Sequence, residues 1–137
     1  MGAVFTEITL KNARDAGNLA VGLINGQDVH ETTVQAIVDT GAMSLVINEE
    51  TRQKLALNIQ DERFVRVASG DRVPCKVTEA VEVHWKDRQT ACEAVVLTNA
   101  KTILLGAIPL EVLDLMVNPV AQELVGVHGD KVEVLVL

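Results

Sequence analysis

The chain has 137 residues and a net charge of −7, and 48% of its residues are hydrophobic. That length suits one domain with a real core, and that apolar share excludes a disordered chain. The acidic balance argues against nucleic acid as a partner, because phosphate binding needs a basic face.

Aromatic residues make up only 2% of the chain, so the core has to be built from Val, Leu, Ile and Ala. Such β-branched richness favours sheet. The N-terminus lacks the charged-then-apolar pattern of a leader, and no apolar run approaches the ~20 residues of a membrane span. Both observations point to a cytoplasmic protein with no membrane partner.

Residues 4–11 alternate, with Val4, Ile8 and Leu10 on one side and Phe5, Glu7 and Lys11 on the other, as in an edge strand. Residues 12–18 are polar, contain Gly17 and read as a turn. Residues 19–24 read as a second strand and Asn25-Gly26 as a hairpin signal. Residues 32–38 return as a strand that delivers Asp39. An acid at the end of a buried strand is expensive, since a charge near the core needs partners or shifts its pKa. Gly41 removes a side chain next to it and lets another backbone or carboxylate come close.

Leu45-Val46-Ile47 is a further short strand. Asn48 can cap a helix whose first turn carries Glu49 and Glu50, favourable at the positive end of the helix dipole, and which ends near Leu57. Residues 63–68 and 73–77 are strands around Ser69-Gly70-Asp71-Arg72. Half of the 12 Lys and Arg fall between Arg63 and Arg88, but Asp61, Glu62, Asp71, Glu79, Glu82 and Asp87 are interleaved with them, which makes a mixed solvated face. Val81, Val83 and Trp85 alternate with Glu82, His84 and Lys86 in a half-buried strand, and residues 91–97 form another after an Asp87-Arg88 turn. Cys75 and Cys92 fall on separate strands and read as free thiols in a cytosolic protein. Without further ligands close by they make no zinc site, and His30, His84 and His128 read as surface histidines.

Residues 102–105 are an apolar strand ending at Gly106. Pro109 suits the first turn of a helix in which Leu110, Leu113 and Val117 share a face and which Asn118-Pro119 ends. Residues 123–127, a His128-Gly129-Asp130 turn and residues 131–137 read as a closing hairpin. Its last strand is apolar on both faces, so it is covered on both faces or paired with a partner. Many short strands with little helix predict a small β-barrel or sandwich, a single domain over residues 1–137.

Two stretches carry a family resemblance. Asp39-Thr40-Gly41-Ala42, entered from Ala36-Ile37-Val38 and followed by Leu45-Val46-Ile47, resembles the active-site loop of the retropepsin-like aspartic proteases, half-size relatives of pepsin. Ile103-Leu104-Leu105-Gly106 with the helix from Ile108 resembles the family's second element, which threads past that loop. The resemblance covers roughly residues 19–120 in the right order. It implies an all-β, acid-protease barrel with one or two short helices, forming a twofold homodimer, and an aspartic endopeptidase that needs no cofactor.

In that family two carboxylates face each other across one water, one ionised and one protonated. Like charges about 3 Å apart cannot both ionise, an effect for which aspartic-protease dyads are themselves the standard example. One Asp-Thr-Gly per chain implies that Asp39 from each of two subunits meets at the axis. The resemblance further implies that Gly41 lets the loops approach, Thr40 hydrogen-bonds across the axis, Ala42 lines the substrate site and Gly106 packs behind Asp39. The Ser69-Gly70-Asp71 tip is either a flap over an extended peptide or protein substrate, or a plain hairpin turn. Residues 131–137 fall at the dimer interface by the same implication. A barrel kept as a non-catalytic module for dimerisation or peptide binding is the alternative. A magnesium-dependent phosphohydrolase is excluded, because it needs a second acid two residues after the first, where this chain has Gly41.

Overall fold

The computed structural model describes residues 3–98 and 100–133. Nine strands and three short α-helices follow one another in the order β1 (Phe5–Asn12), α1 (Ala13–Ala20), β2 (Glu31–Val38), β3 (Leu45–Ile47), α2 (Glu49–Lys54), β4 (Ile59–Arg66), β5 (Arg72–Trp85), β6 (Arg88–Val96), β7 (Ile103–Leu105), α3 (Ala107–Val112), β8 (Leu115–Asn118) and β9 (Glu123–Gly126). The main sheet runs β1-β2-β7-β3-β6-β5-β4, and an added β1–β5 pairing closes six of those strands into a barrel. β4 lies outside the closure, hydrogen-bonded to β5 alone, and β8 and β9 form a separate two-stranded sheet. The predicted all-β barrel is therefore the fold. Among the described residues no helix is long and apolar enough to cross a membrane.

The barrel interior is aliphatic, as the composition requires. Ile8, Leu10, Leu45, Ile47, Val83 and Leu105 are all sealed from solvent. On β1 the buried positions are Ile8, Leu10 and Asn12, while Phe5 points outward, as the alternation predicts. Trp85, the one large aromatic of the interior, donates its indole N–H to Thr6 Oγ1 at 2.8 Å, which satisfies its polar end.

The connection between β1 and β2 departs from the sequence expectation. Residues 12–18 are not a simple turn: Asn12 caps α1, accepting from the Asp15 N–H at 3.1 Å. Residues 19–24 are not a strand either. They leave the helix as an open apolar stretch in which Val21 and Leu23 are exposed, and Asn25-Gly26 opens a 3-10 turn over Gly26–Asp28 instead of a hairpin. Apolar composition mimicked a strand, but the stretch bonds back onto α1, with the Leu23 N–H donating to the Asn18 carbonyl at 2.8 Å. The paired strands are β1 and β2 themselves, with Lys11 opposite Glu31.

Asn12 anchors this connection to the barrel. Its amide Nδ2 donates to the Leu55 and Ala56 carbonyls at 2.9 and 3.3 Å, and the residue is fully buried. Asn12→Ala removes a helix cap and strands two carbonyls, so it should cost about 2 kcal/mol. Urea unfolding followed by circular dichroism checks this; an unchanged midpoint would show that water replaces the amide at no cost.

Elsewhere the agreement is close. Asn48 caps α2 by accepting from the Thr51 N–H at 2.8 Å. The expected strands at residues 73–77 and 81–85 are one long strand, β5, bent at a register shift between Val77 and Ala80. Thr78 fills the bend, accepting from the Ala94 N–H and donating to the Glu79 carbonyl. The helix expected to run from Ile108 to Asn118 stops at Val112. Asp114 takes a left-handed φ of +56° and turns the chain into β8, which pairs with β9. Of the expected hairpin of residues 123–127 with residues 131–137, the first arm forms β9 and pairs with β8. Residues 131–133 are not in a strand, and 134–137, with the interface role assigned to them, lie outside the described residues.

Candidate active site

The short strand β7 decides where Asp39 sits. It runs parallel to β2, with Ile37 opposite Leu104 and Val38 opposite Leu105, and antiparallel to β3, with Leu45 opposite Leu105. It therefore lies between the two strands that the loop of residues 39–44 connects, and that loop must pass over its end. The Asp39 N–H donates to the Leu105 carbonyl at 3.0 Å, which fixes the acid at the sheet margin.

Beyond Leu105 the chain turns directly beneath the loop. The Ala107 N–H donates to the Ala42 carbonyl at 2.7 Å and the Ile108 N–H to the Met43 carbonyl at 2.9 Å. The first free amides of α3 thus bond the loop instead of water. Only glycine fits at 106: a Cβ there would stand 2.7 Å from the Ala42 oxygen and 2.8 Å from the Met43 carbonyl carbon, and closer still to the Ser44 oxygen. Gly106 thus packs against the backbone of residues 42–44.

Within the loop, Asp39 Oδ1 accepts from the Gly41 N–H at 2.9 Å, and the Ala42 N–H donates to the Asp39 carbonyl at 3.1 Å. Asp39 is half-buried, Thr40 and Gly41 are exposed, and Ala42 is half-buried. A Cβ on Gly41 would lie 3.2 Å from Asp39 Oδ1, so the bare backbone leaves room around the carboxylate. The result is one presented carboxylate, held by a backbone N–H, on a loop braced from below. Thr40 opens onto an apolar groove of about 340 Å³ that Leu110, Leu115, Met116 and Val127 also line.

A family model described as "gag-polyprotein putative aspartyl protease" matches residues 20–111, well over half of the chain. The chain belongs to this aspartyl protease family. Its fold is also similar to that of a solved structure, "EIAV protease complexed with the inhibitor HBY-793". That likeness has a TM-score of 0.52 at 16% identity over 77% of this chain and 82% of that one. No curated protein matches the chain. Residues 20–111 begin in α1 and end in α3, so the match takes in both the Asp39 loop and the β7–Gly106 element that braces it.

The structure brings Asp39, Thr40, Gly41, Ala42 and Gly106 of this aspartyl protease chain together. It does not join Ser69, Gly70 and Asp71 to them by any hydrogen bond among the described residues. Those three form the exposed tip of the β4–β5 hairpin, where Gly70 has φ +91°. Its polar groups bond internally: Gly70 N–H to Val67 O at 2.8 Å, Ser69 Oγ to Asp71 Oδ2 at 3.2 Å, and Arg66 Nη1 to Gly70 O at 2.5 Å.

The remaining reactive side chains are spoken for. Burial pushes the Cys92 thiol up to about 11, with Glu93 adding to it, and burial raises Cys75 too, so both are protonated thiols at neutral pH. Both cysteines are free. Among the described residues no three His, Cys, Asp or Glu side chains gather as metal ligands would. His30 and His128 are exposed, as expected, and His84 is half-buried; each leans on a carboxylate: His30 on Asp15, His84 on Glu82 and His128 on Asp114. Sequence reading passed over Ala107, Ile108 and the Arg88–Asp114 contact described below. No local motif marks backbone amides or long-range pairs.

Proposed function

We propose that the chain is an aspartic endopeptidase active as a homodimer, with Asp39 from each subunit activating the attacking water. The observation that carries this reading is the single carboxylate presented on a braced, glycine-bearing loop, in a chain of the aspartyl protease family. One Asp39 deprotonates the water while the other, protonated, hydrogen-bonds the scissile carbonyl. The two apparent pKa values belong to the pair. Thr40 would bond across the twofold axis, and Gly41 would admit the second loop. An extended peptide or protein segment would lie over Ala42, covered by the hairpin tip at Ser69-Gly70-Asp71. The chemistry calls for no metal or organic cofactor. A cytoplasmic setting suits two unpaired cysteines.

The test is digestion of a complex peptide library, read by mass spectrometry at several protein concentrations with sedimentation alongside. A dyad shared between copies predicts that cleavage per chain rises with concentration as the dimer fills. The second reading is a non-catalytic module for dimerisation or peptide binding. It is favoured by the self-bonded, aromatic-free hairpin tip, and it predicts a dimer that cleaves nothing.

A further inference from the structure

Asp114 is bonded through both its main chain and its side chain. Its main-chain oxygen accepts from Arg88 Nη1 and from the Val127 N–H, each at 2.9 Å. Its buried carboxylate accepts from His128 Nδ1 at 2.7 Å and from the Glu133 N–H at 3.1 Å. Arg88 is itself buried and, among the described residues, has no carboxylate in salt-bridge contact. It donates instead to the Leu113 oxygen at 2.9 Å and to the Gly129 oxygen. Gly126 allows this, because a Cβ there would collide with the guanidinium.

These contacts tie residues 127–133 to the turn after α3. Two of the tied residues, Asp114 and Val127, also line the groove onto which Thr40 opens. Of the bonds, only the one from the half-exposed His128 ring changes charge near neutrality.

We propose that residues 127–133 form a pH-sensitive strap, fastened through His128 to Asp114, that holds one wall of the groove beside Thr40. The charged groups around the pair set its sign. Arg88 on β6 and Glu133 in the strap face it, and Glu111 on α3 lines the same groove. The bond to Asp114 raises the His128 pKa, against some loss to burial and with help from the charges of Asp114 and Glu133. Burial works to raise Asp114, but the His128 bond, the Glu133 N–H and the charges of His128 and Arg88 hold it below the ordinary carboxylate range.

The two shifts define a window. The histidine contribution is complete below its unfolded pKa near 6.5 and is lost as pH rises through the raised folded value. The aspartate contribution is complete above about pH 4 and is lost as pH falls through its lowered value. The strap is tightest between these limits and loosens towards alkaline pH, when the neutral ring keeps a hydrogen bond but no charge.

Amide hydrogen exchange of the intact protein tests this without reference to activity. Protection, relative to unstructured rates, is followed at Val127 and Glu133, with Leu110 and Leu113 of the α3 region as references. Between about pH 5 and pH 8 the strap amides should lose about two- to tenfold in protection, with the midpoint of the His128 ring titration, while the references hold. In His128→Asn, which can keep a neutral donor at the exposed position, the loss should vanish. A flat wild-type profile, a parallel fall at the references, or an undiminished fall in His128→Asn would each overturn the strap.

Discussion

Asp39→Asn is expected to lower peptide cleavage by about 10²–10⁴-fold, the share that positioned acid–base groups supply. Asparagine matches the shape of aspartate, and its carbonyl oxygen can still accept from the Gly41 N–H that holds Oδ1 now. The loop bonds from Leu105, Ala107 and Ile108 involve backbone only and do not depend on the carboxylate. Folding and thermal midpoint should therefore be unchanged, and the loss should fall on chemistry alone. Because each proposed site takes one acid from each copy, excess Asp39→Asn chain added to wild type should also suppress cleavage by forming mixed dimers. Cleavage that persists in the purified variant would place the activity elsewhere and remove Asp39 from the mechanism.

Gly106→Ala should produce a large loss of stability. The three atoms nearest the new Cβ are all backbone: the Ser44 and Ala42 oxygens and the Met43 carbonyl carbon. No rotamer change can relieve such a contact, so either the loop lifts or α3 moves away. Overpacking of this kind costs about 3 kcal/mol. In a chain of this size that corresponds to a thermal midpoint lower by roughly 10 °C. Gly17→Ala is the matched control. Nothing lies within 4 Å of a Cβ there, and the residue sits inside α1, so a small gain in stability is expected. Calorimetry on the two variants separates steric exclusion at Gly106 from a general sensitivity of glycines.

What could be read from the sequence was what is local and periodic. Alternation on β1, the apolar runs at Leu45–Ile47 and Ile103–Leu105, and the Asn48 cap with its two glutamates each declare themselves within a few residues. Gly106 is legible through its likeness to the family's second element, although the reason it must be glycine lies in residues 42–44. Four features escaped for separate reasons. α1 is short, contains Gly17 and carries few apolar residues, so its sequence resembles a turn; its cap is Asn12, whose other bonds go to residues 55 and 56. The stretch after it looks like a strand in composition, yet its side chains stand in solvent. The end of α3 is set by Asp114 in a left-handed conformation, a role for which glycine or asparagine would have been the visible signal. Arg88 had only the look of a turn residue, since its three carbonyl partners come from two distant segments.

The position of β7 also has a consequence in time. β2 and β3 flank the Asp39 loop but cannot complete their pairing until a strand made much later is inserted between them. Contacts so far apart in sequence form slowly, and until they form the two strands keep open edges of the kind that template aggregation. A chain emerging from the ribosome therefore carries its Asp-Thr-Gly early but lacks the brace that fixes it. The brace on residues 42 and 43 can form only after the first residues of α3 have been synthesised.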